Sequence, residues 1–177
     1  AEKAKRYHRR ASGKPLTAKR LRELVHYDPK SGIFTRLVQI GVRGKVGEQI
    51  GTVNDRGYVK VCVDGVIYRG HHLAWLYVHG EWPTGKLDHR DLNRSNNRIR
   101  NLRPATNAQN LANRGPQKNN TSGYKGVYWI ARQKKWLAKV VHNGRQYHFG
   151  VHDTPEQAHA AYCRGARQLH GEYARGA

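Results

Sequence analysis

Acidic residues are scarce in this chain. Asp and Glu number 12 against 33 Lys and Arg, which gives a formal net charge of +21 over 177 residues. Self-repulsion on that scale opposes a compact fold unless a polyanion is the partner. Nucleic acid fits best, because each neutralised phosphate releases counterions. Cysteine is nearly absent as well: Cys62 and Cys163 form no CxxC pair. A four-cysteine structural zinc is thereby excluded, and no disulfide framework is suggested. Both cysteines read as small buried hydrophobes in a reducing compartment. No apolar run approaches the ~20 residues of a membrane span, so no membrane partner is expected. The charged N-terminus lacks the apolar stretch of a signal peptide. The length suits one domain or two small ones.

What is present is patterned. Residues 1–15 are basic and almost without apolar side chains, which predicts a flexible arm, either a solvated tail or one that orders on phosphates. Leu21, Leu24 and Val25 recur at helical spacing behind Thr17, a suitable N-cap. A turn from Asp28-Pro29 through Gly32 precedes a strand start at Ile33-Phe34. From Gly51 to Tyr68 the pattern is β, with Val59, Val61 and Val63 alternating with Tyr58, Lys60 and Cys62 and a tight turn at Asp64-Gly65. A short helix over His71–His79 stops at Gly80. Lys86-Leu87 leads as a strand into the polar stretch Asp88–Asn97, and Ile99–Leu102 is the expected return strand. Thr106 and Gln109 have capping-box spacing for a helix that carries Asn110. Strand, loop, strand, helix would bring Asp88 and Asn110 together.

Arg114–Ser122 is rich in Gly, Pro and Asn and reads as a linker. Strands are expected beyond it at Lys125–Ile130, Trp136–His142 and Arg145–Gly150, with Asn143-Gly144 as a hairpin turn. Thr154-Pro155-Glu156-Gln157 starts a helix whose alanine-rich face runs to a stop at Gly171.

The chemistry concentrates in Asp88–Asn110. A carboxylate and an amide oxygen suit a hard divalent cation such as Mg²⁺ or Mn²⁺, which keeps several waters and takes phosphate oxygens as further ligands. Asp88 and Asn110 are the candidate metal ligands, and His89 is the candidate general base. A base histidine needs a partner on its other ring nitrogen, and Asn101 is placed to supply it. Asn93, Asn96 and Asn97 read as loop-shaping residues; Asp91 reads as a loop cap ahead of the alternative, a second acid.

Asp88-His89, Asn93, Asn96-Asn97 and Asn101-Leu102-Arg103 resemble the HNH endonuclease motif, in the form common in phage and intron homing endonucleases. Tyr68–Trp75 and Gly80–Pro83 resemble the segment preceding that motif, as Leu16–Phe34 does more loosely. The resemblance implies a ββα-metal fold, one divalent cation, and cleavage that leaves a 5′ phosphate and a 3′ hydroxyl. It makes Asp88 a metal ligand, His89 the base and Asn101 the residue that holds the loop and orients the base. Asn110 stands where many members carry a final histidine ligand. A second stretch begins at Ser122-Gly123-Tyr124-Lys125-Gly126-Val127-Tyr128. With Trp136, Ala138, Phe149-Gly150, Asp153-Thr154 and Glu156 to Tyr162, it resembles the AP2 DNA-binding domain, which lays a three-stranded sheet in the major groove. Tyr128, Ile130, Arg132, Trp136, Lys139 and His148 fall on or beside that family's contacting positions, while Trp129 and Trp136 also read as core, with packing the stronger reading for Trp136. Lys134, Lys135 and Arg145 add phosphate or base-edge candidates.

The sequence therefore predicts an α+β protein: an arm over 1–15, an HNH nuclease domain over 16–114, a linker over 115–121 and an AP2-like domain over 122–177. The expected activity is site-specific nicking of double-stranded DNA by a monomer or weak dimer. The expected setting is the cytoplasm of a bacterial host, from a phage- or intron-borne gene. A non-catalytic DNA-binding regulator with a degenerate nuclease core is the rival.

Overall fold

The computed structural model describes residues 15–42, 44–117 and 119–175; the basic arm expected over 1–15 lies, but for Pro15, outside them. The chain divides into two compact units, Ala1–Pro104 and Ala105–Ala177. That division falls ahead of the linker at 115–121 and groups the helix carrying Asn110 with the second unit.

In the first unit, helix α1 (Ala18–Leu24) starts where the Thr17 side chain accepts a hydrogen bond from Arg20 N. Strands β1 (Val25–Tyr27), β2 (Phe34–Arg36) and β3 (Gln49–Ile50) form an antiparallel sheet in that order. Strands β4 (Thr52–Val53), β5 (Val59–Val63) and β6 (Val66–Arg69) form another. Asp64 and Gly65 both hold positive φ at the turn between β5 and β6, as a tight hairpin requires. The Arg20 guanidinium grips that turn through two hydrogen bonds to Asp64, at 3.2 and 3.1 Å.

Helix α2 (Gly70–His79) ends at Gly80, whose left-handed conformation lets its N–H reach Leu76 O. Leu21, Leu24, Tyr27, Phe34, Val61, Val63, Leu73 and Leu76 bury one core between α1, α2 and the two sheets. Cys62 corrects the sequence reading: it is exposed, because the alternation that sends Val61 and Val63 inward turns it outward. Cys163 is half-buried.

Strand β7 (Lys86–His89) pairs with β8 (Leu102–Ala105). The return strand begins later than the sequence predicts, since Ile99–Asn101 winds into a 3₁₀ turn closed by Asn101 N donating to Arg98 O.

In the second unit, α3 (Asn107–Asn113) opens with a complete capping box between Thr106 and Gln109. Strands β9 (Val127–Ile130), β10 (Lys135–His142) and β11 (Arg145–His152) form an antiparallel sheet with β10 in the centre. Helix α4 (Pro155–His170) lays Ala158, Ala161 and Ala166 against Val127, Ala138 and Val140. Small residues allow this close approach: a Cβ on Gly165 would stand 2.4 Å from the Phe149 ring.

Gly126 is the tightest of these contacts. Its φ is +73°, and a Cβ there would lie 2.1 Å from the Tyr162 ring. Gly126→Ala is therefore expected to destabilise the second unit by on the order of 3 kcal/mol. A urea denaturation curve checks this, and an unshifted midpoint would refute it.

Candidate active site

The site begins where β7 runs out. Asp88 and His89 end that strand at 6% and 5% exposure, so both residues are buried. Arg103, on β8, directs Nε and Nη2 to the same Asp88 oxygen, at 3.0 and 2.9 Å. Both partners are buried, so this is a desolvated ion pair.

The loop from Arg90 to Arg98 is tied around Asp91. Its carboxylate accepts from Asn93 N at 2.9 Å, from Asn96 Nδ2 at 2.6 Å and from Asn101 Nδ2 at 2.9 Å. Burial acts to raise the Asp91 carboxyl, but these bonds from Asn96, Asn101 and Asn93 together hold it below the ordinary carboxylate range. Asn101 also donates to Asn96 O at 2.8 Å and accepts from Asp91 N at 3.1 Å. Asp91, Asn93, Asn96 and Asn101 thus build the loop. Asn93 further accepts from Ser95 N and Oγ.

His89 faces a cluster of rings that the sequence did not signal. Its ring centroid lies 5.1 Å from that of His71 and 6.1 Å from that of Tyr58. Two guanidiniums flank Tyr58: Arg69 Cζ at 5.0 Å and Arg94 Cζ at 5.1 Å from its centroid. Burial pushes the His89 imidazole below the ordinary histidine value, against Asn97, Asp91 and Asp88, which favour its charged form. A neutral imidazole is the form a general base needs.

His71 is more extreme. Burial, then the neighbouring His72, His89 and Arg69, push it down to about 2. Its unfolded value is 6.5, so below that pH the unfolded chain binds a proton that the folded chain refuses. Stability should fall by about 1.4 kcal/mol per pH unit on acidification through this window, from this group alone. His71 Nδ1 has no hydrogen-bond partner among the described residues, so His71→Leu forfeits no bond there. Denaturation midpoints at pH 7, 6 and 5 should decline less steeply in His71→Leu; parallel declines would refute this assignment.

The expected ligands belong to different units, Asp88 to the first and Asn110, half-buried on α3, to the second. Among the described residues no group of three or more His, Cys, Asp or Glu is arranged to hold a metal. The Asp88 carboxylate is a hard oxygen donor, whose chemistry fits a hard cation that keeps its waters rather than zinc.

In the second unit, the register places Tyr128, Ile130, Lys139 and His148 on the sheet face away from α4. Lys139 Nζ lies 4.4 Å from the Tyr128 ring centroid. Arg132, Lys134 and Lys135 are exposed at the β9–β10 turn, where Lys135 pairs with Asp153 at 2.9 Å. Trp136 lies as the packing reading has it rather than as a DNA contact. It pairs with Trp129, shares the helix-side face of Ala138 and Val140, and packs half-buried against the core. Arg145 is exposed at the β10–β11 hairpin end opposite His142.

Comparison with known proteins finds a family match over this segment. The family described as HNH endonuclease matches residues 68–112, which include both strands of the site and α3 to Ala112. The chain is 37% identical over 108 residues to Protein 3.8 of Escherichia phage T7, covering 60% of this chain and 88% of that protein. It is 38% identical over 100 residues to "Uncharacterized HNH endonuclease L560" of Acanthamoeba polyphaga mimivirus. That match takes in 56% of this chain and spans about half, 51%, of the relative. No solved structure matches. The chain belongs to the HNH endonucleases and is a DNA-hydrolysing enzyme. Membership implies a divalent metal cofactor and displaces the non-catalytic regulator reading.

Proposed function

We propose that the chain is a site-specific, homing-type endonuclease that nicks duplex DNA, with His89 as general base. The observation that carries this is the buried Asp88–His89 pair at the end of β7, with the Tyr58 ring, itself flanked by the Arg69 and Arg94 guanidiniums, 6.1 Å from that of His89. His89 takes the proton of a water that attacks phosphorus; the P–O3′ bond breaks, leaving a 5′ phosphate and a 3′ hydroxyl. Arg69 and Arg94 offer planar, always-charged groups for the phosphate. Asp88 would take part in holding Mg²⁺ or Mn²⁺, and that ion would supply charge stabilisation to the leaving oxygen. The second unit acts as an AP2-like reader through Tyr128, Ile130, Lys139 and His148, with Arg132, Lys134, Lys135 and Arg145 on phosphates. One active site per chain favours nicking by a monomer or weak dimer. Action in the cytoplasm of a bacterial host, from a phage- or intron-borne gene, is the proposed setting.

The test is supercoiled plasmid and source genomic DNA incubated with Mg²⁺, Mn²⁺ or EDTA. Metal-dependent open circle supports nicking, whereas linear product points to paired cuts by two chains. Cleavage that persists in EDTA would sink the metal-assisted mechanism.

A further inference from the structure

Strand β9 covers only part of its neighbour β10. The last pair between them is Ala138 with Val127, and the chain leaves the sheet at Gly126, whose carbonyl accepts from Lys139 N at 2.8 Å. The notch left beside Lys139, Val140 and Val141 opens into a cavity of about 720 Å³ within the second unit. Small-molecule sites usually fall between about 300 and 1,000 Å³. The end of α3 lines this one at Leu111 and Ala112, and the hairpin turn Asn143-Gly144 borders it.

The lining has one sign of charge. Arg114, Lys125 and Lys139 contribute to it, and among the described residues no Asp or Glu does. Lys125 is half-buried, and the carbonyls of Leu111 and Ala112 take two of its three donors. Among the described residues the third is left for a ligand. Arg175 sets its guanidinium against Gly115 of the same wall, where a Cβ would stand 2.6 Å from Nη1. Burial, then Arg175 and Arg114, push the Lys125 ammonium down to about 8, so like charges are crowded where water is scarce. A bound anion would relieve that crowding. Two rings complete the wall: Tyr128 and Trp129, which project from opposite faces of β9, are each 48% exposed. Exposed rings beside clustered cations are the combination that holds unstacked bases and their phosphates.

We infer that this cavity is a second nucleic-acid site, one that holds a single unpaired nucleotide of DNA: Lys125 and Arg114 take its phosphate and the Trp129 ring stacks on its base. The volume admits one nucleotide and not a duplex. Tyr128 and Lys139 belong also to the sheet face proposed to read duplex, so the cavity adjoins that face. The inference stands whether or not His89 is the base.

The test is fluorescence anisotropy of a labelled single-stranded oligothymidylate with the full-length protein in EDTA, so that no cleavage intervenes. Trp129→Leu and Arg114→Gln are each expected to weaken that binding by about tenfold, the scale of one lost base stack, while a labelled blunt duplex binds as it does to wild type. Arg114 is exposed just past α3, so Arg114→Gln keeps the test open should Trp129→Leu loosen the sheet. Thymidine monophosphate should displace the strand, and inorganic phosphate at the same concentration should not. Variants that bind the single strand as tightly as wild type overturn the inference, as does a parallel loss of duplex binding, which would assign these residues to the duplex face. Displacement by inorganic phosphate as efficient as by thymidine monophosphate would reduce the cavity to a phosphate site. A mononucleotide that binds more tightly than the strand would make a free nucleotide the ligand. Either result overturns the assignment to unpaired DNA.

Discussion

Replacing His89 by alanine is expected to slow cleavage by about 10²–10⁴-fold, the usual worth of a positioned general base. Binding to duplex DNA should survive, since the guanidiniums of Arg69 and Arg94 and the second unit's basic residues are untouched. The physical reason lies in the burial of His89 at 5% exposure, which keeps the imidazole neutral below the pH at which a solvated histidine would charge. The same shift has a sign in the wild type. A base must be deprotonated to act, and the His89 value lies below the ordinary 6.5. The rate should therefore hold as pH falls through that point and decline only under more acidic conditions. Single-turnover cleavage beside a gel-shift assay reads both effects. A variant cutting within tenfold of wild type would place the base elsewhere.

Arg103→Leu is expected to cost about 3–5 kcal/mol of stability, because it strips the guanidinium from a carboxylate that stays buried. The Asp88 side chain is 7% exposed and that of Arg103 5%, so solvent screens neither. A second consequence separates this pair from a merely structural one. A cation bound at Asp88 stabilises the folded state by mass action, and most where the carboxylate lacks its own counter-charge. Mg²⁺ should therefore raise the melting midpoint of Arg103→Leu more than that of wild type. Equal midpoints for the two proteins without metal would show that the pair holds nothing together.

Much of the scaffold was legible because its signals are local. Thr17, Thr106 and Thr154 each accept from a backbone N–H three residues on, so a helix start is written within four positions. Asp64-Gly65 and Asn143-Gly144 reverse the chain through their own positive φ angles. Asp88-His89 at a strand end was readable for the same reason. The period-two rule already held the answer for Cys62, whose neighbours on alternate positions face inward. What could not be read is long-range. Arg103 reaches Asp88 across fifteen positions, and the Tyr27 hydroxyl reaches the Asn97 carbonyl across seventy. No spacing rule makes His71 buried and uncharged; only the packing of α2 against the end of β7 does so. The 3₁₀ turn at Ile99–Asn101 arises from the pull of Asn101 on the loop, which strand propensity does not record.

One contact bears on how proteins of this build can be recombined. Lys125, just ahead of β9, donates its ammonium to the carbonyls of Leu111 and Ala112 at the end of α3. Burial, with Arg175 and Arg114 nearby, brings that ammonium down to about 8, so the clasp weakens in mildly alkaline solution. The helix bearing Asn110 is thus fastened to the sheet beyond the Gly- and Pro-containing stretch that separates them in sequence. A chimera spliced at residues 115–121 would exchange the reader and leave this helix unclasped. One spliced between Pro104 and Ala105 would carry helix and clasp together, and there the heritable cassette has its natural seam.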